Sequence, residues 1–441
     1  SAAEMTQRAL EWHAAAARGE QSVGLGTLAG DYCLAQAAAL LTSCGSVELE
    51  AAFADGLTVA GAVLAAGAGI ETVVRQLLPA AGWGGARCAG LPGSAQARWW
   101  RAGRRLAATP PAFRSAPLCP DEVASLLRSA DPLERRLGAT LAVDPPSVSA
   151  PMARLLGAGG KRIRARLLLI AGEVGREYRP DLIMNGAAAM EMLHAATLCH
   201  DDLVDGADSR RGAPTVASTQ GPLVALGVGD YYLGRASGMV ARLGDPRISR
   251  AFATALVEIA EGQLRELDRR SVWSAGLVPY VQVARRKTGS LLAACAAIGA
   301  LLGRAPARDV RAVAHFARDL GLAFQGIDDC LDFSDPGRTG KPAGIDLAQG
   351  ICGLPVLCAL RGPRRAEVLV RLRRMERVGP DEAAALRSQV VALVHESGAL
   401  ATARTVADGW SGEALAHISH LPEPIRMQLE RFADRLTLRD R

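Results

Sequence analysis

The sequence predicts an all-α fold. Ala, Leu, Arg and Gly dominate the 441 residues, aromatic residues make up only 4%, and β-branched runs are short; this composition favours helix over sheet. Hydrophobic residues reach 49%, which is enough to form a large buried core. Apolar residues recur at helical spacing between Gly and Pro breaks. On this basis we expect helices at 123–141, 161–176, 182–201, 222–243, 248–267, 279–302, 308–333, 380–396 and 425–436.

A partial internal repeat predicts the domain organisation. The tripeptide Gly-Asp-Tyr begins at Gly30 and again at Gly229, and in the same register Ala-Phe-Ala begins at Ala52 and again at Ala251. Chance could produce the alanines in an Ala-rich chain, but hardly the whole pattern without a gap. We therefore interpret the N-terminal region as a degenerate copy of part of the main fold.

The domain boundaries follow from this repeat and from proline usage. Residues 1–107 form the degenerate copy, the Pro-rich residues 108–120 a linker, and residues 121–441 the catalytic domain. The degenerate copy lacks a counterpart of the charged stretch 204–211, so we expect no site chemistry from it. The stretch 144–149, rich in Pro and Ser, is expected to be a loop inside the second domain.

The net charge and the cysteine content indicate which binding partners and which cellular compartment to expect. The net charge of +6 and the pI near 9.0 suit an anionic partner, and leave nucleic acid, membrane surface and phosphorylated substrate open. The nine cysteines are odd in number and lack metal-binding or redox spacing, which is typical of reduced thiols. We expect a cytoplasmic protein, with an organelle and peripheral contact with a membrane as alternatives.

Two acidic motifs with the same spacing are the strongest chemical signal. In each one, Asp-Asp-x-x-Asp ends an apolar helical run, so the first and last carboxylates lie one turn apart on one helix face. Burying such clusters is costly unless cations neutralise them, and two facing motifs can clamp magnesium ions against a diphosphate. The six carboxylates belong to Asp201, Asp202, Asp205, Asp328, Asp329 and Asp332.

Basic residues, the usual partners of phosphate oxygens, stand near both acidic motifs. They occur in four short groups, each beside a glycine: Lys161, Arg162 and Arg164; Arg210 and Arg211; Arg285, Arg286 and Lys287; and Lys341. The Gly-Gly-Lys of the first group lacks the spacing of a nucleotide-binding loop.

With these motifs the sequence resembles the trans-isoprenyl diphosphate synthases, or polyprenyl synthetases, of the medium- and long-chain type. The matching stretches lie in the family's order over residues 119–435: GGKRIRARLL, EMLHAATLCHDDLVDGADSRRGAPT, GDYYLGRA, KTGSLLAA, AFQGIDDCLDF and GKPAGIDLAQG. The resemblance implies an isoprenoid synthase-type helical bundle. It also implies that the protein lengthens an allylic diphosphate with isopentenyl diphosphate, by magnesium-assisted ionisation.

The resemblance further implies a role for each matching residue. Two or three Mg²⁺ ions would be bound by Asp201, Asp205 and Asp328, supported by Asp202, Asp329 and Asp332. The allylic diphosphate would be held by Arg210, Lys287, Thr288, Gln325 and Lys341. Isopentenyl diphosphate would be held by Lys161, Arg164, His194 and Arg211.

Small residues below the first acidic motif predict a product longer than farnesyl diphosphate. A helix rises about 5.4 Å per turn, close to one extended isoprene unit. One turn before Asp201 stand Ala196 and Thr197, neither of which is the aromatic residue that closes the pocket in short-chain members. Leu193 follows one turn further and could form a floor. The alternative is that Ala196 merely allows close helix packing.

The sequence also departs from the family pattern. Ile351 stands where many members have a second Lys, Gly353 where they have Thr, and Ala165 where they have Pro. The loss of one cation puts the affinity for the allylic substrate in doubt, but the core signature is intact.

Other functions and partners stay open. A farnesyl or geranylgeranyl diphosphate synthase and a non-catalytic subunit of a heteromeric synthase are the alternatives, and a terpene cyclase would not need the isopentenyl clamp. We expect a homodimer or heteromer without nucleic acid, with peripheral membrane contact for product release.

Overall fold

The computed structural model describes residues 5–6, 8–9, 12–13, 23–43, 45–65, 121–273, 276–334 and 343–437. Within these ranges the regular secondary structure is helical apart from one short hairpin, which confirms the all-α class. The predicted linker 108–120 and the predicted ligand Lys341 lie outside the described residues.

The chain divides into two compact units. The first comprises Ser1–Val257 and Ala297–Ala305, and the second comprises Glu258–Ala296 and Pro306–Arg441. The elements, in chain order, are α1 (Val23–Ser43), α2 (Val47–Ala65), α3 (Asp121–Leu127), α4 (Pro132–Leu141), α5 (Pro146–Gly157), α6 (Ile163–Gly172), α7 (Pro180–Val204), β1 (Ser209–Arg210), β2 (Ala213–Pro214), α8 (Val216–Gln220), α9 (Pro222–Ala241), α10 (Pro246–Leu267), α11 (Leu277–Ala284), a π-helical turn (Arg285–Gly289), α12 (Ser290–Leu302), α13 (Ala307–Leu331), α14 (Ile345–Ala348), α15 (Leu354–Ala359), α16 (Arg365–Met375), α17 (Pro380–Glu396), α18 (Ala399–Ala416) and α19 (Glu423–Thr437).

Helix α7 is the core helix of the first unit. It packs against α6, α9 and α1, while α9 packs along α2. Most of its side chains are fully buried, among them Ile183, Met190 and Leu193. Among the described helices, α7 has the length and hydropathy that a membrane span needs, but 72% of its apolar window is buried inside the protein.

Helices α2 and α9 approach each other backbone to backbone. A Cβ atom at Gly61 would overlap the backbone nitrogen of Tyr231, and one at Gly234 would lie 2.6 Å from the backbone nitrogen of Thr58. Contacts this close exist only because glycine carries no side chain. The two helices run antiparallel, since Gly227 meets Ala65 while Gly234 meets Thr58.

Helix α13 organises the second unit. It packs against α18, the π-helical turn, α15 and α19, and it buries Phe316 and Leu320 completely. A further apolar cluster around Phe333 and Val390 joins α15, α16 and α17. Both clusters hold the C-terminal end of α13 in a fixed position, which matters because the second acidic motif lies there.

Three predicted elements differ in the structure. The helix expected at 123–141 is two helices, because Asp131 caps α4 with Pro132 at its first turn. The loop expected at 144–149 is wrong: Pro146 begins α5, and proline is favoured at a first helical position because its φ is already helical. The helix expected at 279–302 is interrupted by the π-helical turn.

The contact between α2 and α9 generates a test in which two glycines one turn apart are compared. Gly234→Ala should lower the free energy of unfolding by about 1–3 kcal/mol, as overpacking does, because the methyl group would press on the backbone of α2. Chemical denaturation measures this change.

Gly238→Ala is the matched control on the same helix face. Its methyl group would meet nothing closer than 3.4 Å, the flexible end of Arg242, so it should be neutral or stabilise by up to about 1 kcal/mol through helix propensity. Equal effects of the two substitutions would contradict the close packing described above.

Candidate active site

The first acidic motif lies at the C-terminal end of α7. Asp201 and Asp202 belong to the last turn, and Asp205 is the C-cap residue. Asp202 is buried, whereas Asp205 is exposed. Negative side chains are disfavoured at this end of a helix, because the macrodipole already places negative partial charge there. The motif is therefore a place where a cation would be stabilised.

Arg210 is tied to this motif through a tight hairpin. Its Nε donates to Oδ1 of Asp202 at 2.7 Å, and β1 pairs antiparallel with β2 across a two-residue turn. Both turn residues, Arg211 and Gly212, have positive φ values of 53° and 78°, as the favoured two-residue hairpin turn requires. A non-glycine residue in this region is strained, and such strain is concentrated at functional sites.

The first basic motif folds into the same region. The guanidinium of Arg211 donates to the carbonyl oxygen of Gly159, and a Cβ atom at Gly160 would lie 2.7 Å from that guanidinium. The glycines thus let Arg211 approach the turn that carries Lys161, whose side chain is exposed. Arg162 turns inward instead and pairs with Glu134 at 2.7 Å, so it is structural.

Ala165 stands where the family usually has proline, and its backbone N–H makes a hydrogen bond. Its backbone N–H donates to Oε1 of Glu191 at 3.2 Å, a bond that proline could not make. Glu191 thereby satisfies the N-terminal end of α6, next to the basic motif.

His194 lies on α7 in the field of four arginines. Burial lowers the pKa of His194 well below its usual value, and the positive charges of Arg164, Arg211, Arg210 and Arg162 lower it further. The imidazole is therefore neutral at physiological pH and can donate one N–H without adding charge. The predicted isopentenyl set of Lys161, Arg164, His194 and Arg211 thus falls within the first unit.

The second acidic motif repeats this placement at the C-terminal end of α13. Asp328 is exposed, Asp329 is buried, and Asp332 is the C-cap residue. Asp329 accepts hydrogen bonds from Tyr280 Oη at 2.7 Å and from the Leu354 N–H at 2.9 Å. Burial raises the pKa of Asp329 to about 6 against the lowering effect of these bonds.

Gln325 and Thr288, both predicted to hold the allylic diphosphate, are joined to Asp329 by a chain of hydrogen bonds. Nε2 of Gln325 donates to Oδ1 of Asp329 at 2.9 Å, and the Thr288 hydroxyl donates to Oε1 of Gln325 at 2.9 Å. Lys287 pairs with Glu266 at 2.5 Å. Thr288 and Lys287 both lie in the π-helical turn, a feature found mostly at functional sites.

Two residues that sequence reasoning missed belong to this site. Tyr280 binds Asp329 and stacks on Trp410, with 6.3 Å between the ring centroids. Asp346 follows the second motif in the sequence. The backbone N–H groups of Ile345 and Asp346 donate to the carboxylate of Asp332 at 3.0 and 3.2 Å. The acidic residue inside GKPAGIDLAQG was a signal for Asp346, whereas Tyr280 carries no motif of its own.

The second unit has the charge imbalance that a bound cation would relieve. Burial, followed by the charges of Asp329, Asp332, Asp328 and Glu266, raises the pKa of Asp346 to about 8. Carboxylate oxygens are the ligands that Mg²⁺ prefers, so the residues present fit this ion. Within this unit Asp328 is exposed and Asp332 is half-buried, so both could reach such an ion.

A separate cluster of ionisable residues could also ligate a metal by its spacing. Potential ligand atoms of His13, Asp31 and Asp230 lie within 4.8 Å of one another. His200 also pairs with Asp31 and Asp230, at 2.9 and 3.7 Å, so two imidazoles face two carboxylates and their charges balance when both rings are protonated.

Comparison with known proteins identifies relatives. A sequence profile of the polyprenyl synthetase family matches residues 145–389. Over 269 residues the chain is 35% identical to heptaprenyl diphosphate synthase component 2 of Geobacillus stearothermophilus, covering 61% of this chain and 82% of that protein. It is 34% identical over 291 residues to the nonaprenyl diphosphate synthase of Mycobacterium tuberculosis, covering 65% and 85%.

Solved structures show the same fold. The polyprenyl synthase of Caulobacter crescentus, in complex with calcium and isoprenyl diphosphate, superposes with a TM-score of 0.64 and 30% identity over 72% of this chain and 98% of that one. A decaprenyl diphosphate synthase from Rhodobacter capsulatus gives a TM-score of 0.63 and 29% identity over 73% and 99%.

The raised pKa of Asp346 generates a stability test. The folded chain binds this proton more tightly than the unfolded chain, so lowering the pH from about 8 towards about 4 relieves the repulsion at this site. Asp346→Asn should therefore raise the melting temperature of the metal-free protein near pH 8, with a gain that shrinks at lower pH.

Differential scanning calorimetry in the presence of a chelator measures this gain. Asp408→Asn is the matched control, because Asp408 is exposed on α18 and its loss relieves no buried cluster. An Asp346→Asn variant that melts no higher than this control at pH 8 would rule out the repulsion.

Proposed function

Because the chain belongs to the polyprenyl synthetase family, we propose that it is a trans-polyprenyl diphosphate synthase that joins isopentenyl diphosphate to an allylic diphosphate. The family's prenyltransferases act on isoprenoid diphosphates and use a divalent metal for diphosphate ionisation.

The observation that carries the proposal is the contrast between two groups of side chains. In the first unit, burial and then the positive charges of Arg164, Arg211 and Arg210 lower the pKa of His194. In the second unit, burial and then the neighbouring carboxylates raise the pKa of Asp346 to about 8. A protein that binds one diphosphate directly and another through metal ions needs both environments.

We assign the cationic group to isopentenyl diphosphate. Lys161, Arg164 and Arg211 would neutralise its phosphates, and His194 would donate a hydrogen bond without adding charge. Glu191 and Arg162 would hold the basic turn in position, Glu191 by accepting from the Ala165 N–H and Arg162 by its ion pair with Glu134.

We assign Lys287, Thr288, Gln325 and Arg210 to the allylic diphosphate, together with Lys341. The buried carboxylates support this set: Asp329 orients Gln325, which in turn accepts from Thr288, and Asp202 orients Arg210. When bound by Asp201, Asp205 and Asp328, two or three Mg²⁺ ions would supply the positive charge that stabilises a departing diphosphate. No nucleophilic side chain is needed, because the isopentenyl double bond is itself the nucleophile.

We propose a product longer than farnesyl diphosphate. Ala196 is buried and small, one turn from Asp201, and Leu193 below it is also buried. Relatives are named as heptaprenyl and nonaprenyl diphosphate synthases, which agrees with a product longer than farnesyl diphosphate.

The name "component 2" of one relative favours a second candidate, a subunit that acts together with another polypeptide. Turnover by the purified chain alone would exclude this candidate. The predicted homodimer or heteromer, the cytoplasmic location and the peripheral membrane contact remain predictions.

The metal assignment predicts that Asp201→Ala and Asp328→Ala each reduce turnover by at least about 10²-fold, because each removes a carboxylate that would hold the ions. Release of diphosphate from labelled substrates, measured against magnesium concentration, tests this.

Asp208→Ala serves as the control, because Asp208 is an exposed acid just beyond the first motif and should leave the rate nearly unchanged. Near-normal rates for both motif variants, with the fold intact by circular dichroism, would refute the metal assignment.

The product-length assignment predicts a graded effect of phenylalanine along α7. Ala196→Phe should shorten the product markedly without abolishing condensation. Ala189→Phe lies two turns, or about 10 Å, further from Asp201, so it should shorten the product by fewer units. Mass spectrometry of the products decides: a wild type that stops at farnesyl diphosphate, or an unchanged product from the Ala196 variant, would place the floor elsewhere.

A further inference from the structure

The two N-terminal helices start in the same register as two helices of the main fold. Helix α1 begins at Val23 and α9 at Pro222, and α2 begins at Val47 and α10 at Pro246. Both pairs of starting residues are 199 positions apart. The same offset relates the two Gly-Asp-Tyr tripeptides, so the helix starts agree with the register of the sequence repeat.

The repeat extends further towards the N-terminus than the Gly-Asp-Tyr register. The pattern Glu-Met-x-x-x-Ala-x-x-x-His begins at Glu4 and again at Glu191, and ends at His13 and at His200. His200 lies 29 positions before Gly229, whereas His13 lies 17 positions before Gly30. The missing positions correspond to the stretch that carries the first acidic motif and the hairpin in the main fold.

The two histidines occupy equivalent positions in their copies. Nε2 of His13 lies 3.3 Å from the carbonyl oxygen of Thr27, and Nε2 of His200 lies 3.4 Å from that of Leu226. Thr27 and Leu226 are again 199 positions apart. Each ring also packs directly over the glycine of its own copy, where a Cβ atom would overlap it.

Each histidine also pairs with the aspartate of the other copy. Nδ1 of His13 lies 3.3 Å from Asp230, and Nδ1 of His200 lies 2.9 Å from Asp31. Burial opposes the charged imidazole, but Asp230 and Asp31 raise the pKa of His13 to about 10. The two ion pairs are thus related by an approximate twofold axis, as in an interface between identical partners, where residue i meets j and j meets i.

A second set of contacts lies on the same axis. A small cavity is lined by residues from both copies, and four pairs of them are 199 positions apart: Ala38 with Ser237, Leu41 with Val240, Glu50 with Ser249, and Phe53 with Phe252. Glu50 and Ser249, which are equivalent to each other, both line this cavity. Equivalent residues of the two copies line one small cavity together only where that cavity lies on the axis.

We propose that His13, α1 and α2 occupy, within the same chain, the surface on which a second copy of the main fold would sit in a twofold-symmetric pair. Helix α2 lies so close to α9 that no other helix fits between them. The face formed by α7 and α9 is therefore closed to a second chain, and any assembly of the full chain uses another face. Because the N-terminal copy lacks the acidic motif, the internal pair has one substrate site.

Cysteine cross-linking on the axis tests this arrangement in the full chain. With Glu50→Cys and Ser249→Cys combined, a short bismaleimide should join the two positions within one chain. A tethered pair has an effective concentration of about 1 mM, roughly a thousandfold above micromolar protein, so the intramolecular product should dominate. Peptide mass spectrometry identifies the link, and denaturing electrophoresis shows whether it joins two chains.

Ser249→Cys alone is the decisive control. In a symmetric pair of two chains residue 249 would face its own counterpart, so a covalent dimer from this variant would overturn the proposal. A covalent dimer from the double variant would show that the N-terminal helices pack on another chain, which also overturns it. The half-buried pair Ala38→Cys with Ser237→Cys repeats the test beside the axis, and absence of a link in both pairs would disprove the packing. The unsubstituted chain, treated identically, accounts for the native cysteines.

Discussion

Negative charge gathered at the C-terminal ends of two helices is the constraint on which the rest of the site depends. Both α7 and α13 are 25 residues long, and each ends in Asp-Asp-x-x-Asp. The helix macrodipole opposes carboxylates at that end by about 0.3–1 kcal/mol each. The protein meets part of this cost by turning the middle carboxylate inward, onto Arg210 in the first motif and onto Tyr280 and Gln325 in the second. The cost that remains is what a divalent cation would offset.

The same inward carboxylates connect the acidic motifs to the residues that would bind substrate. Asp329 is linked to Thr288 through Gln325. The buried carboxylate of Asp329 thereby orients the Thr288 hydroxyl group, which would bind a phosphate oxygen. Gly353 stands where the family has Thr, and a Cβ atom there would lie 3.2 Å from the Asp329 carboxylate. The glycine thus leaves room beside Asp329, while the next N–H, of Leu354, donates to it.

Sequence reasoning could predict the fold class and the helix that carries each acidic motif, because spacing of 3.6 residues and repeated acidic motifs are local patterns. It could not predict α5, where Pro146 begins a helix rather than a loop, or the π-helical turn around Thr288, because both depend on packing between distant elements. Tyr280 was missed for the same reason. Its role comes from reaching Asp329, 49 positions away, and no local pattern encodes that contact.

In the proposed repeat, the two histidines keep an interface although the N-terminal copy lacks the acidic motif. Several residues that the copies share lie at this interface: glycine under each ring, aspartate opposite each ring, and Phe53 with Phe252 at the cavity. A buried histidine or aspartate without its partner would lower the stability of the fold by several kcal/mol. Neither copy can therefore lose its histidine or its aspartate alone. The N-terminal copy lacks the acidic motif, since His13 lies 17 positions before Gly30 whereas His200 lies 29 positions before Gly229, and the buried histidines and aspartates keep their ion pairs without it. Packing across the axis therefore constrains the N-terminal helices more strongly than catalysis does.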